Sequence, residues 1–179
     1  MTEAVIVSTA RSPIGRANKG SLIEVRPDDR TATIVKAALD KVPELDRTTI
    51  DDLILGCGQP AGESGFNIAR VAAILAGLDD VPGVTINRYC SSSLQAIRMA
   101  AHAIKAGEGD VFVAAGVEAV SRYMSGFADS GPHNPLIAEA EARTAELSQG
   151  ADSWEPFDGP PDIYIAMGQT AENVRLKEN

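Results

Sequence analysis

The chain has 179 residues, a length that suits one globular domain or a piece of a larger one. Hydrophobic residues make up 44% and charged residues 23%, ordinary soluble usage that excludes wholesale disorder, collagen-like repeats and a fibrous coiled coil. The 16 Lys and Arg face 25 Asp and Glu, a net charge of -9 that repels phosphodiester backbones and so argues against nucleic acid as a partner.

The first predicted elements follow a strand, helix, strand order. Residues 4–10 are rich in β-branched side chains, which predicts a buried strand. Asp28 or Asp29 is placed to cap a helix that ends at Pro43. Residues 53–57 are apolar and predict a second strand.

Two further helices and strands continue this pattern. Asn67 is placed to cap a helix that ends at Gly77. Residues 84–87 predict a third strand, residues 91–106 a helix and residues 110–117 a fourth strand. The order β-α-β-α-β-α-β predicts an α/β fold, with a mostly parallel sheet and helices on its faces.

The helix predicted over residues 91–106 has two distinct stripes. Leu94, Ile97, Ala101 and Ile104 form an apolar stripe, which we expect to pack on the sheet. Polar side chains, including His102, form the next stripe.

The chain changes character after Glu118. Prolines, glycines and acidic residues interrupt it there, so we expect an excursion from the core. Residues 137–147 and 167–179 carry helical patterns within this excursion. We therefore predict a core region over residues 1–118 and a separate region over residues 119–179.

The two cysteines occur in contrasting contexts. Cys57 lies in an apolar strand, where packing is the simpler role. Cys90 lies where the third strand ends and the helix begins, a position that favours the thiolate, although a small buried core residue fits it equally well. The hydroxyl of Ser91 is expected to cap the helix. The spacing of His133 indicates neither a metal nor a catalytic partner.

No apolar run approaches the roughly 20 residues that span a bilayer. The N-terminal stretch MTEAVIVSTARSPIG lacks the composition of a secretory or transit leader. A cytoplasmic location is therefore expected, without a membrane span.

Five motifs carry a family resemblance. TARSPIGRANKGSL, ILGCGQPAGESGFNIARVAAILAGL, NRYCSSSLQAI, AAGVEAVSRY and MGQTAENV follow one another in the order of the first half of a thiolase, which the chain resembles. The resemblance implies a five-layered αβαβα core made of two similar halves, with a loop domain inserted in the first. Residues 1–118 are then the N-terminal core half and residues 119–179 part of the loop domain.

The resemblance also assigns roles to single residues. Cys90 matches the acyl-accepting nucleophile of the family, and Met167 matches the methionine beside the bound pantetheine of CoA. Ser93 stands where the family usually has glycine, a change that narrows the site or strains the turn. Ala166 stands where acetoacetyl-CoA-specific members often carry histidine, which argues against that subclass.

The function implied by the resemblance is acyl transfer between 3-ketoacyl-CoA and CoA, in fatty acid and lipid metabolism. No cofactor is expected, because CoA is a substrate, and a homodimer or homotetramer is the expected assembly. The segments Asn-Glu-Ala-Phe, Gly-His-Pro-x-Gly and a second catalytic Cys-x-Gly do not occur in these 179 residues. We therefore expect a C-terminal half as partner, and an isolated chain that is inactive.

Three alternatives stay open at this point. One is a biosynthetic acetoacetyl-CoA thiolase. Another is a different cysteine-dependent condensing enzyme of the same fold, such as a ketoacyl synthase, although AGVEAVSR and MGQTAENV favour thiolase. The third is a non-catalytic half-chain that serves as an assembly or CoA-binding module.

Overall fold

The computed structural model describes residues 3–125 and 127–178. They fall into two compact units, one ending at Asp129 and the other beginning at Ser130. The predicted assignment of residues 119–179 to a loop domain stays a prediction. No helix in the described ranges is long and apolar enough to cross a membrane.

The first unit is built on a three-stranded parallel sheet in the order β2-β1-β3. The strands are β1 (Asp52–Gly56), β2 (Gly83–Ile86) and β3 (Phe112–Gly116), and the helices are α1 (Pro27–Leu39), α2 (Ile68–Leu75) and α3 (Ser92–Ala106). Leu53 of β1 lies opposite Gly83 of β2 and Val113 of β3. The predicted α/β class, with parallel strands and intervening helices, is confirmed.

The strand predicted over residues 4–10 is wrong. This segment joins no strand of the described sheet, and Val5, Ile6 and Val7 are 71%, 72% and 76% exposed. It is attached instead to the end of α1, where the Ser8 hydroxyl donates to the Ala38 carbonyl oxygen at 2.7 Å. A β-branched run specifies a strand only where a neighbouring edge pairs with it, and a local pattern does not contain that edge.

Strand β1 is buried on both faces. Leu53 and Leu55 belong to the larger core cluster, together with side chains of α1 and α2. Ile54 belongs to a second cluster, with Ala96 and Ala100 of α3. Since successive side chains of a strand point to opposite faces, α1 and α2 cover one face of the sheet and α3 covers the other.

Helix α3 packs on the sheet through its small side chains. Ala96 and Ala100 are buried, whereas Leu94 and Ile97 of the predicted apolar stripe are 67% and 43% exposed. The predicted packing face is therefore wrong. The helix approaches the sheet so closely that a Cβ on Gly56 would collide with the α3 backbone, and only small residues fit such an approach.

Two predicted helix caps make other contacts. Helix α1 begins at Pro27, and Asp28 is buried against Arg26 rather than capping the helix. Asn67 precedes α2 in the left-handed conformation, and its Nδ2 donates to the carbonyl oxygen of Gly83 at 2.7 Å. The Asn67 side chain thus ties α2 to β2 without capping the helix.

The second unit contains helices α4 (Ala138–Leu147) and α5 (Met167–Glu178), which confirms both helices predicted in this region. Trp154 packs edge-on against Phe157, with 6.5 Å between ring centroids, and the ammonium of Lys177 lies 5.8 Å from the centre of the Trp154 ring. The loop between the two helices is therefore held by a small aromatic cluster.

Candidate active site

The carboxyl ends of the three strands bring three loops together. Cys57 follows β1, and its N–H donates to the carbonyl oxygen of Ile86, the last residue of β2, at 3.0 Å. Val117 follows β3, and its N–H donates to the carbonyl oxygen of Gly56 at 3.0 Å. Cys90 lies in the 3-10 turn Tyr89–Ser91 that connects β2 to α3. This edge of a parallel sheet is where open α/β proteins bind ligands.

The two cysteines differ sharply in exposure. Cys90 is exposed, so its interpretation as a buried core residue is wrong. Cys57 is 1% exposed, and burial raises the pKa of its thiol, with the charge of Glu118 adding to the effect. Cys57 thus packs in the core, as predicted, and its raised pKa disfavours the thiolate, the reactive form of cysteine.

The turn before Cys90 has an unusual backbone. Tyr89 has a φ of 46°, in the left-handed region that bulky residues rarely adopt. The Tyr89 N–H donates to Oδ1 of Asn87 at 2.7 Å, and Nδ2 of Asn87 donates to the carbonyl oxygen of Gly58 at 3.1 Å. One carboxamide therefore connects the turn to the loop after β1.

Ser92, and not Ser91, which was predicted to cap the helix, makes the side-chain hydrogen bonds where the turn meets α3. Ser91 makes no side-chain capping hydrogen bond. The buried Ser92 hydroxyl accepts the Arg88 N–H at 2.8 Å and donates to the Tyr89 carbonyl oxygen at 2.6 Å. The difference arises because Ser92 points into the fold, where a hydroxyl needs both kinds of partner.

Gly116 makes room for Ser93. Ser93 lies in α3 and is not among the residues with positive φ, so the expectation that it strains a turn made for glycine is wrong. A Cβ on Gly116 would lie 2.5 Å from the Ser93 Cβ. The extra side chain at position 93 is therefore accommodated by the absence of one at the end of β3.

Glu118 joins the loops that follow β1 and β3. Its Oε2 accepts the Gly58 N–H at 2.8 Å. Burial raises the pKa of Tyr123 to about 12, and the charge of Glu118 and a hydrogen bond to its carboxylate act in the same direction. Arg30 of α1 donates to the Glu118 carbonyl oxygen at 3.0 Å. Glu118 is thus held by contacts with Gly58, Tyr123 and Arg30.

An ion cluster lies behind these loops. Arg122 binds Glu63 through Nε and through Nη2, the latter at 2.6 Å. Arg26 contacts Glu63 at 3.1 Å and Asp28 at 2.7 Å. The hydrogen bond from Arg122 lowers the pKa of Glu63. Burial acts to raise the pKa of Asp28, but hydrogen bonds from Arg26 and from the Asp29 N–H outweigh it, and the net shift is downward.

Met167 lies in the second unit, at the first residue of α5, and its side chain is exposed. His133 of the same unit stacks on Tyr164, with 3.9 Å between centroids, and its Nδ1 lies 2.6 Å from Oε1 of Glu141. The spacing of His133 indicates neither a metal nor a catalytic partner, and the stacking contact with Tyr164, 31 positions away, has no local signal in the sequence.

His102 is exposed on α3, as predicted from the polar stripe. It follows Cys90 by twelve positions, about 18 Å along a helix axis, which is too far for a hydrogen bond to the thiol. In residues 3–125 and 127–178, no group of three or more His, Cys, Asp or Glu side chains could hold a metal ion.

Sequence reasoning missed the structural roles of Asn87 and Ser92. Both lie within three residues of Cys90, and both residue types commonly bond to backbone groups one to four positions away. That tendency was the available signal. The pairing of Glu63 with Arg122 spans 59 positions and had no local signal.

Comparison with known proteins gives consistent matches. The family model described as "Thiolase, N-terminal domain" matches residues 4–177. A 3-ketoacyl-CoA thiolase from Bacillus subtilis is 42% identical over 178 residues, which cover 99% of this chain and 40% of the relative.

Two further relatives carry more specific names. A 3-oxoadipyl-CoA/3-oxo-5,6-dehydrosuberyl-CoA thiolase from Escherichia coli is 43% identical over 180 residues, covering 97% of this chain and 42% of the relative. A beta-ketoadipyl-CoA thiolase from Pseudomonas knackmussii is 47% identical over 178 residues, covering 96% and 42%. The chain thus spans about two fifths of the length of these relatives.

Proposed function

The chain belongs to the thiolase family, and from this premise we propose that it supplies the acyl-accepting cysteine of an enzyme that transfers acyl groups between 3-ketoacyl-CoA and CoA. Cys90 is the proposed nucleophile. The observation that carries the proposal is its exposed position on the turn between β2 and α3, within the motif NRYCSSSLQAI.

The proposed reaction has two steps. The Cys90 thiolate attacks the 3-keto carbon, and the bond between C2 and C3 breaks. C2 takes up a proton, so that this part of the substrate leaves as acetyl-CoA. The remaining acyl group stays bound to the sulfur of Cys90 as a thioester. The thiol of a second CoA then loses its proton to a base and attacks this thioester. The bond between Cys90 and the acyl carbon breaks, which releases acyl-CoA and regenerates the thiolate.

The proton-transferring groups are proposed to come from a C-terminal half. The relatives extend well beyond the matched region, so a longer protein has room for such a half. Leu94 and Ile97 on the outer face of α3 are exposed apolar side chains that the second half would cover. Met167 is proposed to contact the pantetheine arm of bound CoA.

The proposed direction is degradative. Ala166, in place of the histidine of acetoacetyl-CoA-specific members, supports a 3-ketoacyl-CoA substrate over a biosynthetic role. A second candidate substrate is beta-ketoadipyl-CoA, because relatives at 43% and 47% identity are named for that class. A cytoplasmic homodimer or homotetramer acting in fatty acid metabolism completes the proposal.

The test is direct detection of the acyl-enzyme. The chain, completed by its C-terminal half, is incubated with 3-ketohexanoyl-CoA or with beta-ketoadipyl-CoA, quenched in acid and digested for mass spectrometry. We expect an acyl group on the peptide of Cys90, none on that of Cys57, and none after Cys90→Ser. Acylation elsewhere, or thiolysis that persists in Cys90→Ser, would contradict the proposal.

A further inference from the structure

The residue before the proposed nucleophile has a costly conformation. Tyr89 is one of four non-glycine residues with positive φ in the described chain. A left-handed residue with a large side chain persists only where surrounding contacts impose that conformation, and such residues cluster at functional sites. The contacts that hold Tyr89 therefore control how the turn presents Cys90.

Asn87 supplies the contact on the strand side of the turn. Its Oδ1 accepts the Tyr89 N–H at 2.7 Å, and its Nδ2 donates to the Gly58 carbonyl oxygen at 3.1 Å. Gly58 is fixed in turn, because its N–H donates to Oε2 of Glu118 at 2.8 Å. The Asn87 carboxamide thus connects the turn of Cys90 to the loops that follow β1 and β3.

Two other contacts of Tyr89 act on different atoms. Ser92 binds its carbonyl oxygen at 2.6 Å, and the phenol oxygen lies 3.3 Å from Oδ1 of Asp129. The hydrogen bond from the Tyr89 N–H to Asn87 orients the peptide plane on the amide side of φ, while the Ser92 hydroxyl holds the Tyr89 carbonyl on the other side. Together the two bonds limit rotation about φ. Asn87 is therefore placed to help maintain the positive φ.

We propose that Asn87 is a positioning residue for Cys90, which it serves by holding Tyr89 in the left-handed conformation. The inference rests on the proposed function for the role of Cys90. Asn87 acts through the backbone of the turn, and it keeps the exposed sulfur of Cys90 at the junction between β2 and α3.

The experiment measures alkylation of the 179-residue chain by iodoacetamide, with separate rates for the Cys90 and Cys57 peptides. We expect Asn87→Ala to slow Cys90 alkylation at neutral pH by about tenfold, the effect of losing two hydrogen bonds of ordinary net strength. The buried Cys57 reports whether the variant stays folded, because its alkylation accelerates only when the core opens.

A rescue separates positioning from general destabilisation. Glycine adopts positive φ without the steric cost that other residues carry, so Tyr89→Gly in the Asn87→Ala background should restore most of the Cys90 rate. Tyr89→Ala in that background removes the same phenol without freeing φ, and it should restore nothing. Equal rates in these two double variants, or a wild-type rate in Asn87→Ala alone, would overturn the proposal.

A replacement variant and a separate acylation measurement complete the experiment. If rapid Cys57 alkylation shows that Asn87→Ala unfolds, Asn87→Leu replaces it in the same comparison, since leucine has nearly the shape of asparagine but cannot accept the Tyr89 N–H. Acylation by 3-ketohexanoyl-CoA in the completed enzyme is measured separately. Absence of acyl-Cys90 alongside the predicted alkylation pattern would reject the proposed function and leave the role of Asn87 standing.

Discussion

The carboxyl groups of Glu63 and Asp28 make the stability of the ion cluster depend on pH. The pKa of each carboxyl is lowered in the folded protein, at Glu63 mainly by the hydrogen bond from Arg122 and at Asp28 by hydrogen bonds that outweigh burial. A carboxyl with a lowered pKa stabilises the fold above its unfolded pKa. That contribution is lost as the pH falls through the folded value.

Replacement of Glu63 tests this dependence. We expect Glu63→Gln to lower Tm by a few degrees at neutral pH, because Arg122 loses its ion pair with Glu63. The variant should also lose less Tm than the wild type between about pH 5 and pH 3, since one carboxyl with a lowered pKa is gone. Thermal unfolding followed by circular dichroism measures both.

The matched control for that experiment is Glu44→Gln at an exposed position of the same unit. It should leave Tm at neutral pH and the acid dependence close to those of the wild type. An unchanged Tm in Glu63→Gln at neutral pH would show that the ion cluster contributes nothing measurable to stability, as many surface ion pairs do.

At the scale of elements, α3 packs closely on the sheet because Gly56 and Gly116 have no side chains at the contact. A Cβ at Gly116 would meet the Ser93 side chain, whereas a Cβ at Gly56 would meet the backbone of Ser92 and Ser93. Side-chain collisions can be relieved by a second substitution, but a collision with helix backbone requires the helix to move. The two glycines are therefore expected to respond differently to the same change.

Double-variant cycles test that difference. Gly116→Ala should cost about 1–3 kcal/mol of unfolding free energy, the usual range for overpacking. Addition of Ser93→Gly should recover about 1 kcal/mol or more of that loss as a coupling energy. Gly56→Ala should be at least as destabilising and show little recovery with Ser93→Gly. Urea unfolding measures the three single and two double variants, and equal coupling in both cycles would contradict the packing described.

The sequence was informative about elements wherever a local pattern was sufficient. Each of the three strands was placed within about two residues of its observed bounds, because apolar runs between turn residues are local signals. The packing face of α3 was missed, since hydrophobicity favoured Leu94 and Ile97 while the distance to the sheet favoured Ala96 and Ala100. That distance is set by Gly56 and Gly116, which lie in other elements.

For the candidate site, the position of Cys90 followed from one strand-to-helix junction, and the structure confirms that junction. The link from Asn87 to the loop after β1 did not follow, because its carboxamide contacts Gly58, 29 positions away. The nucleophilic role of Cys90 and the CoA contact of Met167 came from family motifs and stay predictions. Contacts across long sequence separations are set by the sheet topology, and no window of residues contains them.

At the scale of the molecule, we expect the 179 residues alone to show no useful thiolysis. The proposed base and acid are absent from this chain, and each such group typically contributes about 10²–10⁴-fold to the rate. Co-expression with a C-terminal half should restore activity, measured as CoA-dependent cleavage of 3-ketohexanoyl-CoA. A completed enzyme carrying Cys90→Ser is the matched control, and robust cleavage by the isolated chain would contradict this expectation.

The central position of β1 has a consequence for how the first unit unfolds. Leu53 and Leu55 support the cluster beneath α1 and α2, while Ile54 supports the cluster beneath α3. If β1 separates from β2 and β3, both hydrophobic clusters lose packing contacts at the same time. We therefore expect both faces of the sheet to open together whenever β1 separates, and the first unit to unfold cooperatively.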